Sequence, residues 1–301
     1  MQKILLTLGV LLGLAVSPAQ ADPLTVLTTT SDLASVARFV GGEKVNVQSL
    51  GKGNQNYHFL AAKPSYMIKA KKADLFICVG LDLEIGYASL ILEGSRNPGI
   101  QPGRPGYLDA SEGISAMDVP EKVDRSMGDI HASGNPHYWL DPLNMKIVAA
   151  AIAGRLTRLD PPNAAYYQAN LHTFEKKIDE KMEQWQKRLA PYADEPLITY
   201  HQSWSYFAAR FGFKIIAELE PKPGVPPSPS HLKNVVRLVQ EQNVKVILNE
   251  NIYKDDAARY AAEKTAAVVV NAPISVGGAK GVDDYFTLME RIVEAVEGGF
   301  R

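Results

Sequence analysis

Residues 163–190 limit what this chain can fold into more than any other stretch. Tyr167, Leu171, Phe174, Ile178, Met182, Trp185 and Leu189 step by three and four, with Lys and Glu between them. That spacing gives an amphipathic helix with one apolar stripe. At 1.5 Å per residue the helix would run about 42 Å, enough to cross a two-lobed molecule. On both sides of it the sequence alternates short apolar strands with helices, the pattern of parallel α/β sheets. A helix in a bundle would be flanked by more helices, so the stretch reads as a spine between two α/β lobes. The expected division is a leader at 1–21, a first lobe at 22–160, the spine at 161–192 and a second lobe at 193–301.

The strands before the spine are expected at Leu24 to Thr28, Val45 to Leu50 and Ala73 to Val79. Ser31 or Asp32 is the expected cap of the first helix. After the spine, strands are expected at Leu197 to Tyr200, Phe213 to Leu219, Val244 to Leu248 and Ala267 to Val270. Helices are expected from Ser203 and from His231. Glu220 to Ser230 carries five prolines and reads as a stiff, extended loop. Pro98 to Asp129 is rich in Gly, Pro and charge, with a mobile end, and Asn271 to Asp283 is a Gly-rich loop.

The N-terminus has Lys3, an apolar run from Ile4 to Val16, and Ala19-Gln20-Ala21 before Asp22. This is the build of a cleavable export signal, cut near Ala21. The run is short of the roughly 20 residues that span a bilayer. The one cysteine, Cys78, lies in an apolar strand and has no partner for an internal disulfide. A formal charge of −1 leaves no electrostatic footprint for nucleic acid or an anionic membrane surface.

Histidine carries the chemistry. His58 follows the polar loop Gly51 to Tyr57. His137 follows a proline in Asn135-Pro136-His137-Tyr138-Trp139-Leu140-Asp141-Pro142, where the aromatics can anchor the segment and Asp141-Pro142 opens a helix. His201 stands just past a strand end, where open α/β sheets bind ligands. Three such histidines can converge in the cleft between the lobes. Neutral imidazoles suit zinc, copper, nickel or iron better than calcium or magnesium, and zinc with three nitrogens and one further ligand is a common arrangement. His172 reads as a surface residue of the spine and His231 as structural. The same trio plus water would also serve a zinc hydrolase, but there is no His-Glu-x-x-His motif and no carboxylate convincingly placed as a base.

These residues resemble the periplasmic solute-binding proteins of zinc and manganese ABC transporters, the cluster 9 or cluster A-I family. The similarity runs over essentially the whole mature chain. It is carried by Tyr57-His58-Phe59 with Lys63-Pro64-Ser65, by Lys72-Ala73-Asp74-Leu75-Phe76 with Gly80-Leu81-Asp82-Leu83-Glu84, by the segment around His137, and by Tyr200-His201-Gln202-Ser203-Trp204-Ser205-Tyr206-Phe207 with Phe211-Gly212. The resemblance implies two α/β lobes on one rigid helix, with the metal in the cleft. It implies a periplasmic protein that delivers its cargo to an ABC-transporter permease as a monomer, with a periplasmic zinc chaperone as a further partner. His58, His137 and His201 match the family's first three ligands. The third is typically glutamate in manganese-binding members, so His201 favours Zn2+ over Mn2+. The family's fourth ligand is an aspartate after the last strand. Here that place reads Val270-Asn271-Ala272-Pro273, which leaves water, Asn271 or Glu250. Some zinc members use a His-rich loop before the second ligand; here Met117 to Ser133 holds only His131. In the family Asp82 and Glu84 are structural. Siderophore- or corrinoid-binding proteins share the spine helix and stand as a second alternative, and a surface adhesin of the same fold as a third, disfavoured by the absence of a lipobox cysteine.

Overall fold

The structure is a computed structural model, and it describes residues 22–122, 128 and 131–301. The leader expected at 1–21, and most of the mobile end expected near Asp129, lie outside the described residues.

The first lobe contains strands β1 (Leu24–Thr28), β2 (Val45–Ser49), β3 (Leu75–Cys78) and β4 (Tyr107–Asp109). They form one parallel sheet in the order β2-β1-β3-β4. The second lobe contains β5 (Pro196–Thr199), β6 (Lys214–Glu218), β7 (Val246–Glu250) and β8 (Val268–Ala272). Their order is β6-β5-β7-β8, again all parallel, so the two lobes share one topology. β3 and β7 are buried along their whole length, as strands covered on both faces must be. In each sheet the order reverses beside the first strand, and the crevice at such a switch point opens at the carboxyl ends.

Helices α1 (Ser31–Gly41), α2 (Pro64–Lys71), α3 (Ala88–Ser95) and α4 (Pro142–Leu159) belong to the first lobe. The spine, α5, spans Ala164–Leu189. Its 26 residues make a rod about 39 Å long. Tyr167, Phe174, Ile178, Met182, Trp185 and Leu189 are buried as the spacing predicts, and Leu171 is partly covered. The second lobe adds α6 (Ser205–Phe211), α7 (Pro229–Glu241), α8 (Asp256–Glu263) and α9 (Tyr285–Phe300). No described helix is long and apolar enough to cross a membrane.

The spine joins the lobes through one continuous core rather than as a bare connector. Phe174 of α5 stacks edge-on against Phe39 of α1 at 5.2 Å and lies 5.3 Å from Phe286 of α9. Along the same side, Glu290 and Glu297 of α9 accept hydrogen bonds from Lys181, Trp185 and Arg188 of α5.

A polar seam ties the lobes together beneath the cleft. The Val276 N–H donates to Asp32 Oδ1 at 2.9 Å, and Ser31 Oγ donates to the Val276 carbonyl at 2.6 Å. Trp139 Nε1 donates to the Ile274 carbonyl at 2.8 Å. This seam explains why the cap of α1 is Thr30, whose side chain accepts from Leu33 N, rather than Ser31 or Asp32: both are engaged across the seam. At Gly53 the first-lobe loop lies so close to residues 276–278 that a β-carbon would stand 2.0 Å from the Val276 carbonyl oxygen. Only glycine fits that approach.

Elsewhere the boundaries move by small amounts with local causes. α7 begins at Pro229 because Ser228 caps it. α6 begins at Ser205 rather than Ser203. β7 runs on to Glu250 because β8 pairs with it as far as Ala272.

Candidate metal centre

His58 sits in a single helical turn, Tyr57–Phe59, and Asn56 Oδ1 accepts its backbone N–H at 3.0 Å. Tyr57 is buried, with its ring T-shaped to Trp139 and its hydroxyl 2.7 Å from Ser31 Oγ. These neighbours pin the turn and leave the His58 ring facing the cleft.

His137 is held from behind by Asn135. The Asn135 Oδ1 accepts the His137 backbone N–H at 3.0 Å and lies 2.8 Å from its Nδ1. The amide orientation follows from Asn135 Nδ2, which donates to Asp118 Oδ2 at 2.9 Å and to the Gln202 carbonyl at 2.7 Å. Since Oδ1 only accepts, Nδ1 of His137 carries the proton and its Nε2 keeps a lone pair.

His201 follows β5, between the ends of β6 and β7. Its Nδ1 lies 2.7 Å from Glu220 Oε2, so it too carries its proton on Nδ1. On the other side, its backbone N–H donates to Glu250 Oε1 at 3.3 Å.

The three rings form a near-equilateral triangle. Their centroids are 5.2 Å apart for His58–His137, 5.4 Å for His58–His201 and 5.3 Å for His137–His201. One ring nitrogen from each lies within 4.8 Å of the other two. The Nε2 atoms of His58 and His137 are 3.2 Å apart. Two nitrogens on one tetrahedral zinc, each about 2.0 Å from it, would stand about 3.3 Å apart. Burial, and then the neighbouring imidazoles, hold both His58 and His137 well below the ordinary histidine pKa. Both are therefore neutral near pH 7, as ligands must be.

Glu250 is not in the converging group. It ends the neighbouring strand β7, is fully buried, and spends Oε1 on the His201 backbone; burial pushes its carboxyl up to about 7. Asn271 is exposed and engaged elsewhere, accepting from Asn249 at 2.7 Å and donating to Asp255 at 3.3 Å. His131 lies with its ring centroid 4.9 Å from that of His58, beside the trio and outside it.

A niche of about 10 Å³ touches His58, His137, His201 and Ser203, space for about one water. A cavity of about 100 Å³ adjoins it, lined by His131, His137, His201, Gln202 and Pro223 among others.

His172 is exposed on the spine, and His231 bonds the Glu218 carbonyl at 2.9 Å. Glu84 is structural: buried, it accepts from Thr29 Oγ1, Val79 N and Gly80 N. Asp82 accepts from Ser133 N.

Asn135 and Glu220 were not singled out from the sequence. Asn135 had a readable signal, since Asn side chains bond backbone groups two residues on. Glu220 had none locally, because its neighbour is set by strand order.

Comparison with known proteins places these features in one family. Residues 26–299 match the family model described as "Zinc-uptake complex component A periplasmic". The chain is 25% identical over 285 residues to the iron-binding protein YfeA of Yersinia pestis, covering 93% of this chain and 87% of that protein. It is 24% identical over 290 residues to the manganese ABC transporter substrate-binding lipoprotein PsaA of Streptococcus pneumoniae, covering 94% and 91%. A crystal structure of ZnuA superposes with a TM-score of 0.80 at 23% identity, covering 92% of this chain and 99% of that one.

Proposed function

We propose, on the premise that the chain belongs to the periplasmic zinc-uptake component A family, that its cargo is zinc, held by His58, His137 and His201 through their Nε2 atoms. The coarser function follows from the family. The chain is the exported, metal-binding component of an ABC metal importer, works with a membrane permease, and is not an enzyme. YfeA and PsaA are named for iron and manganese, so the choice of zinc rests on this chain's own donors.

The convergence of three imidazoles carries the reading. No carboxylate joins the trio among the described residues, and a nitrogen-only set favours zinc over manganese. With Glu250 outside the converging group and Asn271 engaged elsewhere, a water in the niche beside Ser203 supplies the fourth ligand. The adjoining cavity is also too small for a siderophore or corrinoid, since pockets for such ligands start at about 300 Å³. In this reading the chain is a monomer, released by cleavage near Ala21.

The test is elemental analysis of protein purified without added metal, followed by competition titrations. Zinc is expected at one equivalent, with manganese binding weaker. Tighter binding of manganese than zinc in the same buffer would refute the assignment.

A further inference from the structure

The sequence directed attention to Glu250, but the carboxylate in hydrogen-bond contact with a candidate ligand ring is Glu220. It stands two residues past β6, where parallel pairing outlasts the strands: Leu219 N donates to the Thr199 carbonyl at 2.8 Å and Glu220 N to the Tyr200 carbonyl at 3.0 Å. That register brings Glu220 alongside His201. Both side chains are only 6% exposed. Glu220 Oε2 accepts from His201 Nδ1 at 2.7 Å and also from the Gly224 N–H at 3.3 Å.

Gly224 belongs to the proline-rich strap 220–228. Lys222 and Val225 pair across its tip, and Pro223 lines the cavity beside His131, His137 and His201. The strap also reaches the first lobe. A β-carbon on Gly128 would stand 2.4 Å from the Pro223 carbonyl oxygen.

We propose that Glu220 is the positioning residue of this metal site, performing two tasks with one oxygen. It keeps the proton of His201 on Nδ1, so that the Nε2 lone pair faces His58 and His137. It also holds the strap in its course over the cavity, so that order at His201 and order in the strap rise and fall together. The inference rests on the reading of His201 as a metal ligand. Carboxylates behind ligating histidines fix the tautomer and make the ring a better donor, and losing one typically weakens metal binding about 10–100-fold.

The experiment compares Glu220→Gln, Glu220→Ala and His201→Ala. Three quantities are read: zinc affinity by chelator competition, the His201 ring tautomer by nitrogen NMR of the zinc-free protein, and hydrogen exchange across 222–228. Glu220→Ala is expected to weaken zinc binding about 10–100-fold, to mix the His201 tautomers and to leave the strap unprotected. Glu220→Gln keeps an acceptor oxygen on a side chain of the same length. It is expected to retain the Nδ1–H tautomer and recover most of the affinity. An alanine variant with wild-type affinity and an unchanged tautomer overturns the proposal, as does equal loss in the Gln and Ala variants without any tautomer change. His201→Ala separates this from the reading beneath it. If that variant keeps wild-type zinc affinity, it is the three-histidine site itself that fails.

Discussion

Asn135 accounts for more of His137's behaviour than the aromatic residues around it. One amide oxygen fixes both the backbone and the ring, and the amide nitrogen reaches across to the Gln202 carbonyl, next to His201. Two ligand-bearing segments are thus tied by one side chain. Replacing His137 with alanine should lower zinc affinity at least about 100-fold, and Asn135→Ala about tenfold, whereas His172→Ala and His231→Ala should leave it unchanged. Chelator competition on the four variants checks this, and four identical affinities would remove His137 from the site. The pH dependence follows from the same burial. Free imidazole would lose zinc as pH falls through about 6.5. His58 and His137 are held well below that value, first by desolvation and then by their neighbours' charge, so protons compete with metal only at lower pH. Protonation of His58 and His137 should therefore take nothing from the affinity between about pH 7.5 and 6.5, and should cost up to about two decades per pH unit once both rings titrate at lower pH. A fall approaching about two decades per pH unit already above about pH 6.5 would show that His58 and His137 are not shielded as the structure has them.

At the scale of elements, what was legible was whatever leaves a local trace. The spine read as 163–190 is observed as Ala164–Leu189, because its stripe is buried on a single face. Asp141-Pro142 starts α4 as read, with the Asp141 side chain accepting from Leu143 N. The loop 271–283 reads as merely Gly-rich, yet Ile274, Ser275 and Val276 are buried against the other lobe. Nothing within that loop announces a contact with Asp32, more than 240 residues earlier. Asp32 gives the seam a testable signature. Burial raises its carboxyl from 3.8 to about 7, against the hydrogen bonds that lower it. A folded-state pKa above the unfolded one gives a contribution that is complete below about 3.8 and is lost as pH rises through about 7. Asp32→Asn keeps the Oδ1 acceptor for Val276 and removes the ionisation. Its stability relative to the wild type should therefore climb by on the order of 2 kcal/mol between about pH 5 and 7 and level off above. Glu84 and Glu250, also raised to about 7, and the lowered histidines are common to both proteins and cancel in that difference. Urea midpoints of the zinc-free proteins at several pH values measure it; a difference independent of pH would mean that Asp32 is ionised in the fold throughout.

At the scale of the whole molecule, the repeated strand order places both carboxyl-end crevices on one cleft, and three separate structures keep that cleft from hinging wide. The spine is a continuous rod, Phe174 locks α1 and α9 against it, and the seam at Ile274 to Val276 bonds the lobes directly. Wide closure would have to break buried hydrogen bonds and open a packed core, and each buried polar group left unpaired costs about 1–3 kcal/mol. Metal binding can instead order what is held by few contacts. The strap 220–228 is such a segment, tied down through Glu220 and Gly224. Hydrogen exchange with and without zinc should show protection rising across 222–228. It should show little change in the spine at 164–189 or in the seam at 274–276, although the seam belongs to a loop that reads as flexible from its glycines. Small-angle scattering of the two forms should superpose. If exchange instead slows across both lobes, or scattering reports a contraction on binding, the molecule closes on its metal as a hinged clamp, and the spine and seam yield where this packing requires them to hold.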